Sequence, residues 1–235
     1  PEPGGVRRVF LTGANPFALS SEKLGHIGEL VRRYLPACET IGCFARVTDV
    51  GRKTDGELKA LRDLGYTGLS IGVETGHGPS LRFMDKGYGP EDIVTQTRRL
   101  DGAGIRYHFM YLAGLPGAGH GAEGAAASAE VFNRTNPKII GSSMLTLFPE
   151  SRLYREVQAG AWAEESELEK LEEVRTLVEG LKIPVWFATL GASNAVVVQG
   201  NLPEDRSALL AKLDAARKEG REETLRQYRR SLPHL

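Results

Sequence analysis

The chain has 235 residues, of which 41% are hydrophobic, and its 30 basic and 30 acidic side chains cancel to a formal net charge of zero. That length supports one substantial core with an appended subdomain, and the cancelled charge removes any global electrostatic argument for nucleic acid or a membrane surface as partner. No apolar run approaches the roughly 18 residues of a membrane helix, the opening PEPGGVRR has no apolar secretory segment, and two cysteines make no disulfide framework, so a cytoplasmic location is the default.

In chain order, VRRVFLTG (6–13) is a β-branched run closed by glycine. SSEKLGHIGELVRRYLP (20–36) then carries Leu24, Ile27, Leu30, Val31 and Tyr34 at helical spacing and ends at Pro36. A second strand is expected at TIGCFARVTD (40–49). A helix follows at 54–66, with Thr54 as N-cap and Glu57 three residues on, the signature of a capping box. GLSIGVE (68–74) is the third strand and 90–104 the third helix, opened by Pro90 and two acids. IRYHFMYLAGLPG (105–117), the helix at 123–135 and KIIGSSMLTLF (138–148) complete five strand–helix repeats. Beyond Pro149 the pattern changes to a long charged helix (164–183), an extended segment and loop (184–203) and a last helix (204–230). The expected fold is therefore α/β, a parallel sheet wrapped by helices over residues 1–149, with a mostly helical C-terminal extension over 150–235 packed on it.

Parallel sheets of this kind place ligands at the carboxyl ends of their strands. Five groups fall there: Thr12-Gly13-Ala14-Asn15, Arg46 with Asp49, Glu74, Tyr111 with Gly114-Leu115-Pro116-Gly117, and Thr146-Leu147-Phe148. Glu74 is the most informative. A carboxylate ending a core strand is costly unless it is hydrated or bonded. It can grip a ribose diol or an ammonium group, or simply pair with Lys86 or Arg46. The glycines of YLAGLPGAG (111–119) allow either a close ligand approach through free N–H groups or an ordinary turn. Cys38 and Cys43 are spaced C-x4-C without further partners, and Cys43 reads as a small core residue. The histidines at 26, 77, 108, 120 and 234 show no ligand spacing, and His77 has the best chance of facing the mouth. No metal site follows, and neither a G-x-S-x-G elbow nor a phosphate-binding P-loop is present.

In order and spacing, VFLTGANPFALSSEKL, SIGVETG with LRFMDKGY, YHFMYLAGLPG and SSMLTLFPESRLYREVQAGAW together resemble the radical S-adenosylmethionine superfamily, in the group with coproporphyrinogen-dehydrogenase-like and Elp3-like cores. The resemblance spans roughly residues 6 to 181. It implies a partial (β/α)6 barrel in which a 4Fe-4S cluster reduces S-adenosylmethionine to a 5′-deoxyadenosyl radical that abstracts hydrogen from a substrate, with an external electron donor as a further partner. Carried over by position, the backbone of Thr12, Gly13 and Ala14 would meet the methionine amino group, Arg46 and Lys86 its carboxylate, and Glu74 the ribose. Gly114, Leu115, Leu147 and Phe148 would flank the adenine, and Asn15, His77 and Tyr111 would touch substrate. Two departures stand out: TGANPF lacks the acid usual in the glycine-rich motif, and the C-x3-C-x2-C cluster loop is absent together with the first strand. The expectation is thus a barrel lacking its first strand, a fragment of a radical enzyme that is inactive alone. A clusterless binding or scaffolding protein remains open, as does a cofactor-free barrel enzyme that takes a phosphorylated metabolite on the glycines of GLPGAG.

Overall fold

The structure, a computed structural model, describes residues 5–232, so His234 lies outside the described residues. The chain opens with β1 (Arg8–Leu11), a short 3-10 turn (Pro16–Ala18) and α1 (Ser21–Tyr34). β2 (Thr40–Arg46) runs directly into α2 (Val47–Gly51), followed by α3 (Asp55–Asp63) and β3 (Tyr66–Glu74). Next come α4 (Gly78–Phe83), α5 (Pro90–Ala103), β4 (Arg106–Ala113), α6 (Gly121–Phe132) and β5 (Ile139–Met144). The C-terminal part supplies α7 (Arg152–Gln158), α8 (Glu167–Gly180), β6 (Val185–Thr189), β7 (Gln199–Leu202), α9 (Arg206–Glu219) and α10 (Glu222–Arg230). The sheet order is β1-β2-β3-β4-β5-β6-β7; all neighbours are parallel except β6 and β7, and β1 and β7 are edges, so the sheet is open.

Side-chain alternation divides the sheet into two unlike faces. Leu69, Ile71 and Val73 on β3, and Tyr107, Phe109, Tyr111 and Ala113 on β4, point to the helical layer and are buried there. Removing these apolar groups from water is the main stabilising term. The opposite face is concave and uncovered. Arg8, Phe10, Phe44 and Arg106 are exposed on it, and the central strand β3 presents only Gly68, Ser70 and Gly72 before reaching Glu74.

The expected strand 40–49 ends three residues early, because the Asp49 carboxylate accepts the Arg46 N–H at 2.8 Å and turns the chain into α2. The Thr54–Glu57 capping box is present, with Glu57 N–H to Thr54 Oγ1 at 3.2 Å and Thr54 N–H to Glu57 Oε2 at 2.7 Å. Segment 184–203 does more than form a loop: β6 and β7 extend the sheet, pinned by Val198 N–H to Thr189 Oγ1 at 2.9 Å. The expected helix 204–230 breaks at Gly220, whose backbone is extended (φ −67, ψ 134).

Candidate functional site

The mouth is built around the end of β3. Strand pairing with β4 slips between Gly72 and Glu74, so Val73 is an extra residue and the strand ends in a bulge. Beyond it Glu74 adopts a positive φ of 59, a conformation that costs energy in a residue with a side chain. The bulge and the turn place the carboxylate on the concave face, where Glu74 Oε1 lies 3.2 Å from Lys86 Nζ with both side chains about a quarter exposed. Lys86 is delivered by a second strained turn: Asp85 has φ 52, and Lys86 N–H reaches back to the Leu81 carbonyl at 3.0 Å. Among the described residues Glu74 and Asp85 are the two non-glycine residues with positive φ, and both serve this one pair. Gly72 leaves room beneath it: a Cβ there would come within 3.3 Å of Glu74 Oε1 and press on the carboxylate.

Tyr88 completes the support. Its hydroxyl donates to the carbonyls of Gly72 at 3.2 Å and Val73 at 3.0 Å, holding the bulge. Burial, and then the charge of Glu74, push the phenol above its ordinary range, so it stays a donor. On the neighbouring strands, Asp49 is buried and accepts from Asn15 Nδ2 at 2.7 Å as well as from Arg46 N–H. Lys53 Nζ donates to the carbonyls of Phe17 and Leu19 at 2.7 and 3.1 Å. These bonds lay the loop 12–19 across the ends of β1 and β2, with Thr12, Gly13 and Ala14 exposed and Gly13 in the left-handed region (φ 106). Arg46 is exposed, Leu147 half-buried and Phe148 exposed, all at carboxyl ends of strands or just beyond.

Three expectations are corrected. Tyr111 does not face the mouth. It lies on the helical side of β4, edge-on to Phe132, with its hydroxyl on Glu173 Oε1 of α8, because the alternation of β4 assigns position 111 to the buried face. His77 turns the same way: its Nδ1 is 2.8 Å from Ser80 Oγ and its ring is nearly buried beside α6. Gly114 offers no free N–H, since that group donates to Glu173 Oε2, and Leu115 is buried. The rest of this glycine segment is committed too. Gly119 N–H meets Glu169 Oε1 at 3.0 Å and Ala118 N–H the Ala163 carbonyl at 2.9 Å. N–H groups already facing carboxylates do not form an anion nest.

Tyr88, and Ser128 of α6, whose Oγ accepts the Gly76 N–H at 2.7 Å, carry no sequence signal for their roles; both are distant in the chain from the backbone they hold. The acids of 164–173 fall in the expected long charged helix, yet Glu165, Glu167 and Glu173 are buried. Glu165 lies against the Glu173 carboxyl and the Gly117 backbone, and burial pushes its own carboxyl up to about 7. Burial and the charge of Glu165 raise Glu173 as well. The folded Glu165–Glu173 pair therefore holds a proton that the unfolded chain releases near 4.5. This contribution to stability is complete below that value and is lost as pH rises through about 7. His77 and His108, lowered by burial, act with the opposite sign at the acidic end. The difference between wild type and Glu165→Gln isolates the acid: on going from pH 5 to pH 8, the variant should gain about 5 °C in melting temperature relative to wild type. Parallel melting curves at the two pH values would refute this assignment.

Neither cysteine belongs to the mouth. Cys43 is buried on the helical side, its thiol pushed up to about 12 by burial, and Cys38 donates to the Thr40 carbonyl at the amino end of β2. Among the described residues no three His, Cys, Asp or Glu side chains gather as a metal site, so these residues do not fit a cluster. No helix among them is long and apolar enough to cross a membrane.

No protein-family profile matches the chain. A stretch of 115 residues, 48% of the chain, is 27% identical to the heme chaperone HemW of Bacillus subtilis (strain 168), covering 30% of that protein. Among solved structures, Methanocaldococcus infernus Elp3 with residues 1–46 deleted matches 91% of this chain and 55% of its own, with a TM-score of 0.64 and 17% identity. Coproporphyrinogen III oxidase (HemN) from Escherichia coli, a radical SAM enzyme, matches 74% of this chain and 39% of its own, with a TM-score of 0.60 and 16% identity. The chain thus spans about a third to a half of the proteins it matches, and its open, mostly parallel α/β sheet has the fold of the radical S-adenosylmethionine enzymes' partial barrel.

Proposed function

We propose that this chain is the S-adenosylmethionine-binding part of a radical S-adenosylmethionine enzyme. The observation that carries this is the Glu74–Lys86 pair, held on the concave face by a bulge and two strained turns at the strand end. Backbone strain of this kind persists only where the surrounding structure over-determines it, and it concentrates at ligand sites. One Glu74 oxygen pairs with Lys86 and the other is left to accept from a ribose diol. Lys86 and the exposed Arg46 supply positive charge for a methionine carboxylate, and the backbone of Thr12, Gly13 and Ala14 is open to its amino group. Leu147 and Phe148 offer apolar surface to an adenine. Asn15 is spent on Asp49 and so acts as a positioning residue for the loop.

When bound and reduced, S-adenosylmethionine supplies the hydrogen-abstracting radical; this chain's residues bind and orient it. The cysteines here do not fit a cluster, so no step is assigned to iron and the isolated chain is expected to bind without turnover. S-adenosylhomocysteine is the suitable probe, followed by calorimetry. Glu74→Gln removes the charge from an acceptor and should weaken binding about 10- to 100-fold, with circular dichroism and melting temperature retained. Equal affinity in wild type and variant would sink the proposal.

A further inference from the structure

The amino-terminal half of the concave face holds a second feature that the mouth does not use. A concavity of about 520 Å³ opens there over the floor made by Gly42, Gly68 and Ser70. Arg8 on β1, Arg106 and His108 on β4, and Lys138 just before β5 all line it, and no carboxylate does. Among the described residues Arg8, Arg106 and Lys138 make no ion pair; Lys138 Nζ meets only Asn136 Oδ1 at 3.2 Å. Asp101 accepts from the Tyr107 hydroxyl at 3.3 Å and makes no ion pair with Lys138 among the described residues. A Cβ on Gly68 would meet nothing within 4 Å, so the floor is open space. Phe10 stands in the wall, 46% exposed, edge-on to Phe44 at 5.0 Å between ring centroids.

Like charges gathered around one recess repel each other, and an anion entering it reverses that cost. The guanidinium groups of Arg8 and Arg106, on strands separated by β2 and β3, can each meet a different carboxylate or phosphate group of one ligand, while Phe10 and Ile139 suit an apolar body. We infer that this recess binds a small molecule carrying at least two negative charges as carboxylate or phosphate, and that this molecule is the substrate. From Gly68 to Glu74 is six residues of strand, about 20 Å. A substrate anchored at the amino-terminal end therefore needs an elongated body, running along Ser70 and Gly72, to bring its other end under the mouth. Only the word substrate rests on the nucleoside reading of the mouth; the anion site stands on its own residues.

Calorimetric titration of the chain with inorganic pyrophosphate and, separately, with tricarballylate tests this. At least one should bind saturably, and the tighter of the two names the end group. The double variant Arg106→Gln/Lys138→Gln should weaken that binding about tenfold or more. A control with the same charge change on α1, Lys23→Gln/Arg33→Gln, should leave it within about twofold. No saturable binding of either probe, or equal losses in both doubles, overturns the site. Glu74→Gln separates the two proposals: it should spare the anion probes, and loss of S-adenosylhomocysteine binding with anion binding retained would still uphold both. Anion binding without any nucleoside binding in wild type would remove only the substrate assignment.

Discussion

Replacing Lys170 by alanine is expected to destabilise the chain by about 3–5 kcal/mol, read from denaturant midpoints at constant slope. The side chain is fully buried, and its ammonium lies 2.7 Å from Glu164 and 3.3 Å from Glu167. Glu167 is held from the other side by Arg229 Nε at 3.1 Å, and Arg229 donates in turn to the Leu145 carbonyl after β5. The lysine stem packs against Gly114, where a Cβ would approach it to 3.0 Å. Alanine would leave a cavity and strip Glu167 of one of its two cations, and a carboxylate left short of charge in the interior is costly. Lys170→Met keeps most of the volume and so separates the packing loss from the charge loss. A change below about 1 kcal/mol for the alanine variant would mean that water reaches this cluster.

Gly76→Ala should cost about 3 kcal/mol and lower the melting temperature by about 8 °C, because a Cβ there would sit 2.6 Å from Ser128 Cα, a backbone atom that cannot move aside alone. The same change would disturb Gly76 N–H to Ser128 Oγ at 2.7 Å and Thr75 Oγ1 to Ser128 Oγ at 3.0 Å, the bonds that seat the turn after Glu74 on α6. S-adenosylhomocysteine binding should fall with it, since Glu74 lies two residues upstream. Gly68→Ala is the contrasting case: nothing stands within 4 Å of its Cβ, so melting should shift by less than about 2 °C while the concave face narrows. Similar losses at both glycines would refute the packing explanation.

These two clusters show where sequence reading reaches and where it stops. The strand–helix alternation, the capping box at Thr54 and the acid at the end of GLSIGVE are all encoded within a few residues. Periodicity, caps and turn residues act over one or two turns of chain, so they were legible directly. Glu74 and Lys86, twelve residues apart, meet as expected.

Contacts between distant residues were not legible in this way. Tyr111 sits at a strand end, where ligands are expected, but strand alternation turns it to the helices and to Glu173, 62 residues on. The expected helix 164–183 is rich in charge, yet Glu167, Lys170 and Glu173 of α8, and Glu165 just before it, are buried because α8 packs on α6. Two of the N–H groups of the glycine segment that could have cradled an anion are taken by Glu173 and Glu169. Short-range sterics and hydrophobic period made the five strand–helix repeats, their order and the strand ends readable from the residues alone, but not α2, α4, the pairing of β6 with β7 or the break at Gly220. Only the tertiary structure decided which face each strand-end residue took, that the sheet stayed open, and that arginines and a lysine from three separate segments surround one recess. Those outcomes depend on long-range packing and on charges brought together from distant parts of the chain.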